Sequence, residues 1–372
     1  MKDKASGVVE RLVAGSRAWW HARPSVAMPT VFARSAPLDL RIVGRTLLHA
    51  ALVGVAAGVV GAAFFVALEM VQRVLLEELA GYQPLRAHGE QFAAGGSIGP
   101  FRPWLLALLP ALGGLAAGLL MRLAPETRGG GVDATITAFH QQGGVVRRRV
   151  AWIKAVASLL TLGSGGAGGR EGPTIQIGGA LGSLVGRLLG VGARQRRILL
   201  VAGIAAGISA VFRTPLGAAL LAVEVLYKDG FESDALVPSV LASVVAYSVV
   251  ISLFGESTLF AHASRFPFVP AHLPLYALLA VAIAALAVVF LESLAAVRRT
   301  VPRLPIPEWA RPAAGGLVLG LLCTPMVWYV GHRIGPPGQA CGGLRLRLPG
   351  TRVPARAAVR LQAAAQPSVA TT

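Results

Sequence analysis

A five-residue motif, Gly169 to Pro173 (GREGP), places an arginine and a glutamate between glycines in the middle of a strongly apolar chain. A charge at bilayer depth costs about 3 kcal/mol or more, so charged residues are rare there and usually functional. Glycines leave backbone N–H groups uncovered, and Pro173 is typical of the first turn of a helix. A helix that begins inside the membrane directs its partial positive charge at the adjoining cavity. The motif therefore predicts an anion as the occupant of that cavity.

Two further features could take part in the same chemistry. Gly129, Gly130 and Gly131 precede Val132 at the start of a short apolar segment and expose backbone amides there, although an ordinary glycine-rich loop has the same composition. Glu224 lies within the apolar run LLAVEVL, with no basic residue beside it. We expect Glu224 to be a buried carboxylate that either hydrogen-bonds to a helix end or relays protons or ions.

A competing pattern, GxGxxG, runs from Gly163 to Gly168. As a dinucleotide fingerprint it requires a preceding strand, a following helix in a βαβ unit and a later acidic residue for the ribose. The segment before it is apolar in the manner of a membrane helix, and no βαβ pattern follows. The two cysteines and seven histidines show no metal-ligand spacing. We therefore expect neither a cofactor nor a metal, and no enzyme activity.

The composition indicates a polytopic membrane protein, because 54% of the 372 residues are hydrophobic and 14% are charged. A net charge of +18 is compatible with nucleic-acid binding, but no aromatic–basic interleaving or recognised fold accompanies it. The arginines instead cluster in loops, at 122–149, 187–197 and 298–303. The positive-inside rule places these loops, and the N-terminus, in the cytoplasm, so we expect a multi-pass protein of the cell membrane.

Apolar segments of two kinds must position the motifs. Long spans are predicted at about 47–76, 104–123, 236–254, 274–297 and 312–330. Shorter segments, interrupted by Gly or Pro, are predicted at 132–140, 152–162, 174–189, 198–211 and 216–227. Non-helical backbone at bilayer depth survives only where protein or a water-filled cavity surrounds it. The interrupted segments therefore indicate an ion or substrate site near the bilayer midplane.

GREGP followed by TIQIGGALG resembles the signature of the chloride channel family, which includes chloride/proton antiporters and voltage-gated channels. The segments 122–132 and 205–224 resemble the family's first anion-binding loop and its next conserved block, and the likeness covers about 45–330. It implies an all-α polytopic fold with broken, re-entrant helices and two halves of inverted topology. It also implies a homodimer in the lipid bilayer, with one pore in each subunit and chloride as the permeant ligand.

Carried over by position, the resemblance makes Glu171 the gating glutamate. Its carboxylate would compete with the permeating anion for the same amides, and protonation would free the site. Burial should raise its pKa, whereas the amides at the helix end favour the anionic form. The resemblance also implies an inner-side role for Glu224 and an anion-binding role for six residues: Gly130, Gly131, Val132, Gly169, Arg170 and Gly172.

Four positions depart from the family pattern. Gly130 stands where many members have Ser, Asp133 replaces the following Pro, and Arg213 replaces a nearby Asn. Val225 occupies the position that often carries the inner proton-transfer glutamate, and a valine cannot relay protons. The pattern therefore favours channel-like or uncoupled transport of chloride or a similar small anion, with a chloride/proton antiporter and a non-conducting fragment as alternatives.

The expected organisation has three parts: a basic cytoplasmic arm at 1–45, an incomplete transmembrane domain at 46–331 and a disordered tail at 332–372. The transmembrane domain would comprise the first inverted-repeat half and the start of the second. The second half would lack the family's GxFxP-type loop and inner Tyr. The tail is rich in Arg, Pro and Gly without periodicity and unlike the family, which suggests a frameshift or a mis-set end.

Overall fold

The computed structural model describes residues 40–82, 84, 99–227, 233–255 and 270–334. The chain divides into two compact units, Met1–Leu48 and His49–Thr372, and the packing below lies within the second. The predicted arm at 1–45 and the predicted tail at 332–372 fall almost wholly outside the described residues, so both stay predictions.

The described part is all-α, as predicted. Its α-helices are α1 (Leu40–Gln72), α2 (Pro103–Leu120), α3 (Val132–His140), α4 (Arg148–Gly163), α5 (Glu171–Leu188), α6 (Ala193–Phe212), α7 (Pro215–Glu224), α8 (Ser233–Phe254), α9 (Leu273–Thr300) and α10 (Arg311–Ile334). A π-helical turn, Arg73–Leu79, continues α1, and single 3-10 turns stand at Pro125–Thr127, Pro270–His272 and Val301–Arg303.

Six helices of the described ranges are long and apolar enough to cross a membrane: Gly44–Leu79, Pro103–Leu120, Ala193–Phe212, Asp234–Phe254, Pro270–Arg303 and Arg311–Tyr329. Five of them confirm the predicted long spans. The sixth, α6, is longer than the segment predicted at 198–211, because the arginine-rich residues before Ile198 are also helical. Arginine is a good helix former, so the end of an apolar run did not mark the end of the helix.

The interrupted segments form separate helices with identifiable breaks between them, and α6 is the one of them that is long and apolar enough to cross a membrane. Gly131 precedes α3 with φ at 88°, a left-handed conformation that favours glycine. Arg213 ends α6 in the same region, with φ at 55°, and is the one residue other than glycine with positive φ in the described chain. Pro215 then begins α7 at a position where its missing N–H is not needed. These breaks divide the apolar sequence into helices that begin or end next to one another, with Gly131 buried and Arg213 half-buried.

Backbone contact at glycines holds the helices around the site. On α5 and α6, a Cβ at Gly178 would collide with the carbonyl oxygen of Gly203, and one at Gly203 would collide with that of Gly178. A Cβ at Gly207 would likewise meet the carbonyl oxygen of Thr174. Small residues permit such close approach in membrane proteins, where tight packing replaces the hydrophobic effect as the force that joins helices. The first turn of α5 is therefore fixed against α6.

Other helices pack on one another by the same means, and one helix remains exposed. Gly54 and Gly58 of α1 lie against Ala242 and Ala246 of α8. Helices α2 and α10 meet where Gly316 contacts the backbone of Pro110. Helix α9 differs from all of these, because none of its residues is buried.

Candidate anion-binding site

The structure brings the two predicted glycine motifs together. A Cβ at Gly172, the second residue of α5, would collide with the carbonyl oxygen of Gly130, which lies two residues before α3. The main chains of the two motifs are therefore in contact, and the N-terminal ends of α3 and α5 converge. Neither helix has a side-chain cap. Converging N-termini expose N–H groups and add their partial positive charges, which is the arrangement that binds a small anion.

Glu171 is the first residue of α5, and its carboxylate lies against Gly169. Its Oε2 lies where a Cβ at position 169 would be, so a side chain there would move the carboxylate. The burial expected from the sequence is not found, because Glu171 is exposed, as are Gly169 and Gly130. The residues of α5 from Pro173 onward are mostly covered by other described residues, whereas the carboxylate of Glu171 at the start of the helix is exposed.

Arg170 has a side-chain environment that the sequence did not indicate. Its Nη2 lies 3.6 Å from Oε1 of Glu69 on α1, and its guanidinium stands 5.2 Å from the centre of the Phe65 ring. Glu69 is buried, with 7% of its surface exposed. The ion pair and the cation–π contact stabilise the guanidinium at this position. The side chain of Arg170 is thus directed at α1, while its backbone carbonyl accepts a bond from Thr174 N–H in the first turn of α5.

Lys154 of α4 fixes the loop that carries the first glycine motif. Its Nζ donates to the carbonyl oxygens of Thr127, at 3.0 Å, and of Gly129, at 2.7 Å. Only 3% of the residue is exposed. Sequence analysis missed this residue, and the available signal was a lone charge within the apolar run of α4.

Gln176 of α5 holds the same loop from the other side. Its Nε2 donates to the carbonyl oxygen of Glu126 at 2.7 Å, and its side chain packs where a Cβ on Gly131 would be. Gly131 and Val132 are consequently held at the start of α3, with Val132 half-buried.

A surface ion pair completes the attachment of the loop. The carboxylate of Glu126 is joined to Arg147, just before α4. Partial burial opposes ionisation of this carboxyl, but the hydrogen bond and the charge of Arg147 outweigh it and hold the pKa of Glu126 below its ordinary value. Three side chains, from α4, α5 and the segment before α4, thus fasten one loop.

The prediction that Glu224 is buried is wrong, because its side chain is exposed. It is the last residue of α7, and the buried face of that helix is formed by Ala218, Ala219, Ala222 and Val223. Glu224 lies off that face. The apolar run misled the sequence interpretation, since a run that contacts lipid on one side and protein on the other does not show which side a residue takes. The structure does not bring Glu224 into the site formed by the glycine motifs.

The arrangement can hold a small anion at backbone amides, with a carboxylate nearby that can compete for the same amides. Within the described ranges, no group of three His, Cys, Asp or Glu residues is placed to hold a metal ion.

A family model described as "Voltage gated chloride channel" matches residues 112–345. This match begins later than the predicted likeness at 45–330 and runs past Val330, into the segment predicted to be unlike the family. An H(+)/Cl(-) exchange transporter, ClcA, of Citrobacter koseri is 34% identical over 216 residues, which cover 57% of this chain and 42% of that protein. A chloride/fluoride channel protein of Pseudomonas syringae pv. tomato is 35% identical over 147 residues, or 40% of this chain and 32% of that one.

Among solved structures, a slow cyanobacterial Cl-/H+ antiporter matches with a TM-score of 0.60 and 27% identity, over 75% of this chain and 64% of that one. The chain thus spans less than half of the length of the two curated relatives and less than two thirds of the antiporter structure.

Proposed function

This chain belongs to the voltage-gated chloride channel family, and from that premise we propose that it carries chloride or a similar small anion passively across the cell membrane, as a channel or an uncoupled transporter. The observation that carries the proposal is the contact between Gly130 and Gly172, which joins two uncapped helix starts. Such a pair of helix ends favours a small anion without a side-chain cation. The arginine-rich loops favour a cytoplasmic N-terminus, and the family favours a homodimer.

Glu171 is the gate in this proposal. Its carboxylate lies against Gly169, at the start of the helix whose second residue contacts the other glycine motif. In the ionised state it competes with the permeating anion for the exposed amides. Protonation removes its charge, and the amides then become available to the anion. Transport should therefore rise on acidification.

A proton-coupled antiporter is the second candidate, because one relative bears the name of an H(+)/Cl(-) exchange transporter at 34% identity. Val225, next to the exposed Glu224 at the end of α7, is the observation that favours uncoupled transport, since valine cannot bind a proton. The two candidates differ in one measurable quantity, the proton movement that accompanies a chloride gradient.

The first experiment is chloride efflux from liposomes that contain the full chain, measured between neutral and acidic pH. Wild type is expected to release chloride faster as the pH falls. Glu171→Gln removes the ionisable gate and should release chloride at the fast rate at every pH. Glu292→Gln is the matched control, because Glu292 is an exposed carboxylate on α9, away from the site. It should keep the pH dependence of wild type.

Each outcome separates the candidates. A pH dependence that persists in Glu171→Gln would remove the gating role from Glu171. Proton uptake driven by a chloride gradient would favour the antiporter. Absence of chloride flux in both wild type and Glu171→Gln would overturn the proposal and favour a non-conducting fragment.

A further inference from the structure

Three arginines meet at the end of α5 that is farthest from the glycine motifs. Arg148 is the first residue of α4, Arg187 lies in the last turn of α5, and Arg196 lies in the first turn of α6. Burial first, and then the positive charges of Arg148 and Arg196, lower the pKa of Arg187 below its ordinary value. These residues are called the arginine triad below.

Specific contacts build the triad into the fold. The Nε of Arg196 donates to the carbonyl oxygen of Gly143 at 3.0 Å. The Oγ of Ser183 on α5 accepts the backbone N–H of Val146 at 2.9 Å, which fixes the segment that leads to Arg148. The side chain of Arg196 also packs at Gly186, beside Arg187. The three charges are therefore held near one another by the backbone and not only by flexible side chains.

The triad has no counter-charge within the described residues. Neighbouring carboxylates are already paired, Glu126 with Arg147 and Asp234 with Arg194. The Nε and Nη2 atoms of Arg187 are buried and have no hydrogen-bond partner in the described part of the chain. Buried polar atoms normally have a partner, and leaving a charged donor without one is costly.

The N-terminal ends of α4 and α6 add to this excess of positive charge. Helices α4 and α6 begin with arginine-rich first turns, and neither has an acidic residue in that turn or a side-chain cap. Cations at a helix N-terminus oppose the helix dipole, which favours negative charge there. An anion between these ends would relieve the repulsion among the arginines, partner the buried nitrogens of Arg187 and complement both dipoles.

We propose that the arginine triad is a binding site for a phosphate group, separate from the transport site. The planar donor forks of arginine match the oxygens of a phosphate, which can bridge several guanidinium groups at once. The exposed Arg148 provides access from the surface. The site lies at an arginine-rich end of the membrane helices, where the phosphates of lipid headgroups are found. A lipid headgroup and a free phosphate ion share this chemistry.

The test measures the thermal unfolding of the full chain in nanodiscs of three kinds. The first contain the phosphate-free lipid digalactosyldiacylglycerol alone, the second an equimolar mixture of digalactosyldiacylglycerol and phosphatidic acid, and the third digalactosyldiacylglycerol with inorganic phosphate at matched ionic strength. We expect the Tm of wild type to rise in the second or the third over the first, because a ligand that binds only the folded state stabilises it.

Substitutions in the triad should remove this gain. Arg148→Gln, at an exposed position, and Arg187→Gln should each lose most of the anion-dependent rise in Tm. In digalactosyldiacylglycerol alone, Arg187→Gln should be at least as stable as wild type, because the repulsion within the triad is reduced. Arg299→Gln is the matched control, since it removes one arginine from another exposed cluster and should keep the full rise.

The outcomes also identify the source of the phosphate. A rise only with phosphatidic acid assigns a lipid headgroup, and a rise with inorganic phosphate assigns a free ion. The proposal is overturned if wild type gains no stability in either, or if Arg299→Gln loses as much of the gain as Arg148→Gln does. None of these results depends on whether the chain conducts chloride.

Discussion

At the scale of single residues, Lys154 shows how a buried charge can be used to shape the backbone. Its ammonium group donates to two carbonyl oxygens of the loop that carries Gly130. Among the described residues, it forms no ion pair with a carboxylate. Because these carbonyl oxygens point toward Lys154, the N–H groups of the same peptide units point away from it. The positive charge also lies close to the proposed anion position. Lys154 can therefore act through loop geometry, through its charge, or through both.

Two substitutions separate these effects. Lys154→Met leaves two carbonyl oxygens without a donor and should destabilise the protein by about 1–3 kcal/mol, as well as weaken chloride binding. Lys154→Gln keeps an amide donor without the charge. It should recover part of the stability but not the chloride affinity. Thermal unfolding across a chloride titration measures both quantities, and equal chloride dependence in wild type and Lys154→Gln would contradict a role for the charge.

The sequence indicated the atoms that would meet an anion but not the side chains that hold them. GREGP and the cluster at Gly129–Gly131 were predictable, because glycine before an apolar helix is a local pattern. Lys154 and Glu69 were not, because a lone charge in an apolar run does not reveal which distant segment it contacts. The exposure of Glu224 was missed for a related reason, since only packing decides which side of α7 faces the protein.

At the scale of elements, contact between α5 and α6 is made by backbone atoms. Gly178 and Gly203 each occupy the space that a Cβ on the other would need. The position of the first turn of α5, which carries Glu171, therefore depends on Gly178, about two turns further along the same helix. The breaks that delimit these helices were predictable from Gly and Pro, whereas the reciprocal glycine contact was not, because it joins positions on two separate helices.

Gly203→Ala is expected to separate α5 from α6 and to lower stability by about 1–3 kcal/mol, the usual cost of an added methyl group in a tight interface. Gly315→Ala in α10 is the matched control, because a Cβ there meets no atom within 4 Å. It should be neutral or stabilising by about 1 kcal/mol or less, as alanine favours helix over glycine. Thermal unfolding of both variants makes the comparison, and equal losses would show that the contact is not the cause.

At the scale of the whole molecule, apolar surface and arginine are distributed as a bilayer requires. Helix α9 has 28 residues and no buried one. At 1.5 Å per residue it is about 42 Å long, more than the hydrocarbon core of a membrane. Its exposed leucines and valines are suited to lipid. Arginines flank the helices at Arg147–Arg149, at 187–197 and at 298–303, and the positive-inside rule predicts that these ends lie on one side of the membrane.

This arrangement predicts opposite accessibility for two exposed positions. In a chain with Cys323 and Cys341 replaced by serine, Gly192→Cys should react with a membrane-impermeant maleimide only from the cytoplasmic side. Phe101→Cys, between α1 and α2, should react only from the outside. Labelling measured in intact cells and in inverted vesicles gives the orientation directly. Reaction of both positions from one side would contradict the predicted arrangement of the helices.

The meeting of Gly130 and Gly172 has a consequence for how the proposed pore could diversify. A lining made of main chain has no rotamers to exchange and offers few substitutions that alter its chemistry. Any change in halide preference would then come from small displacements of whole helices, or from residues such as Gln176 that hold the loop before α3. Selection for a new ion would therefore act on positions well removed from the ion itself.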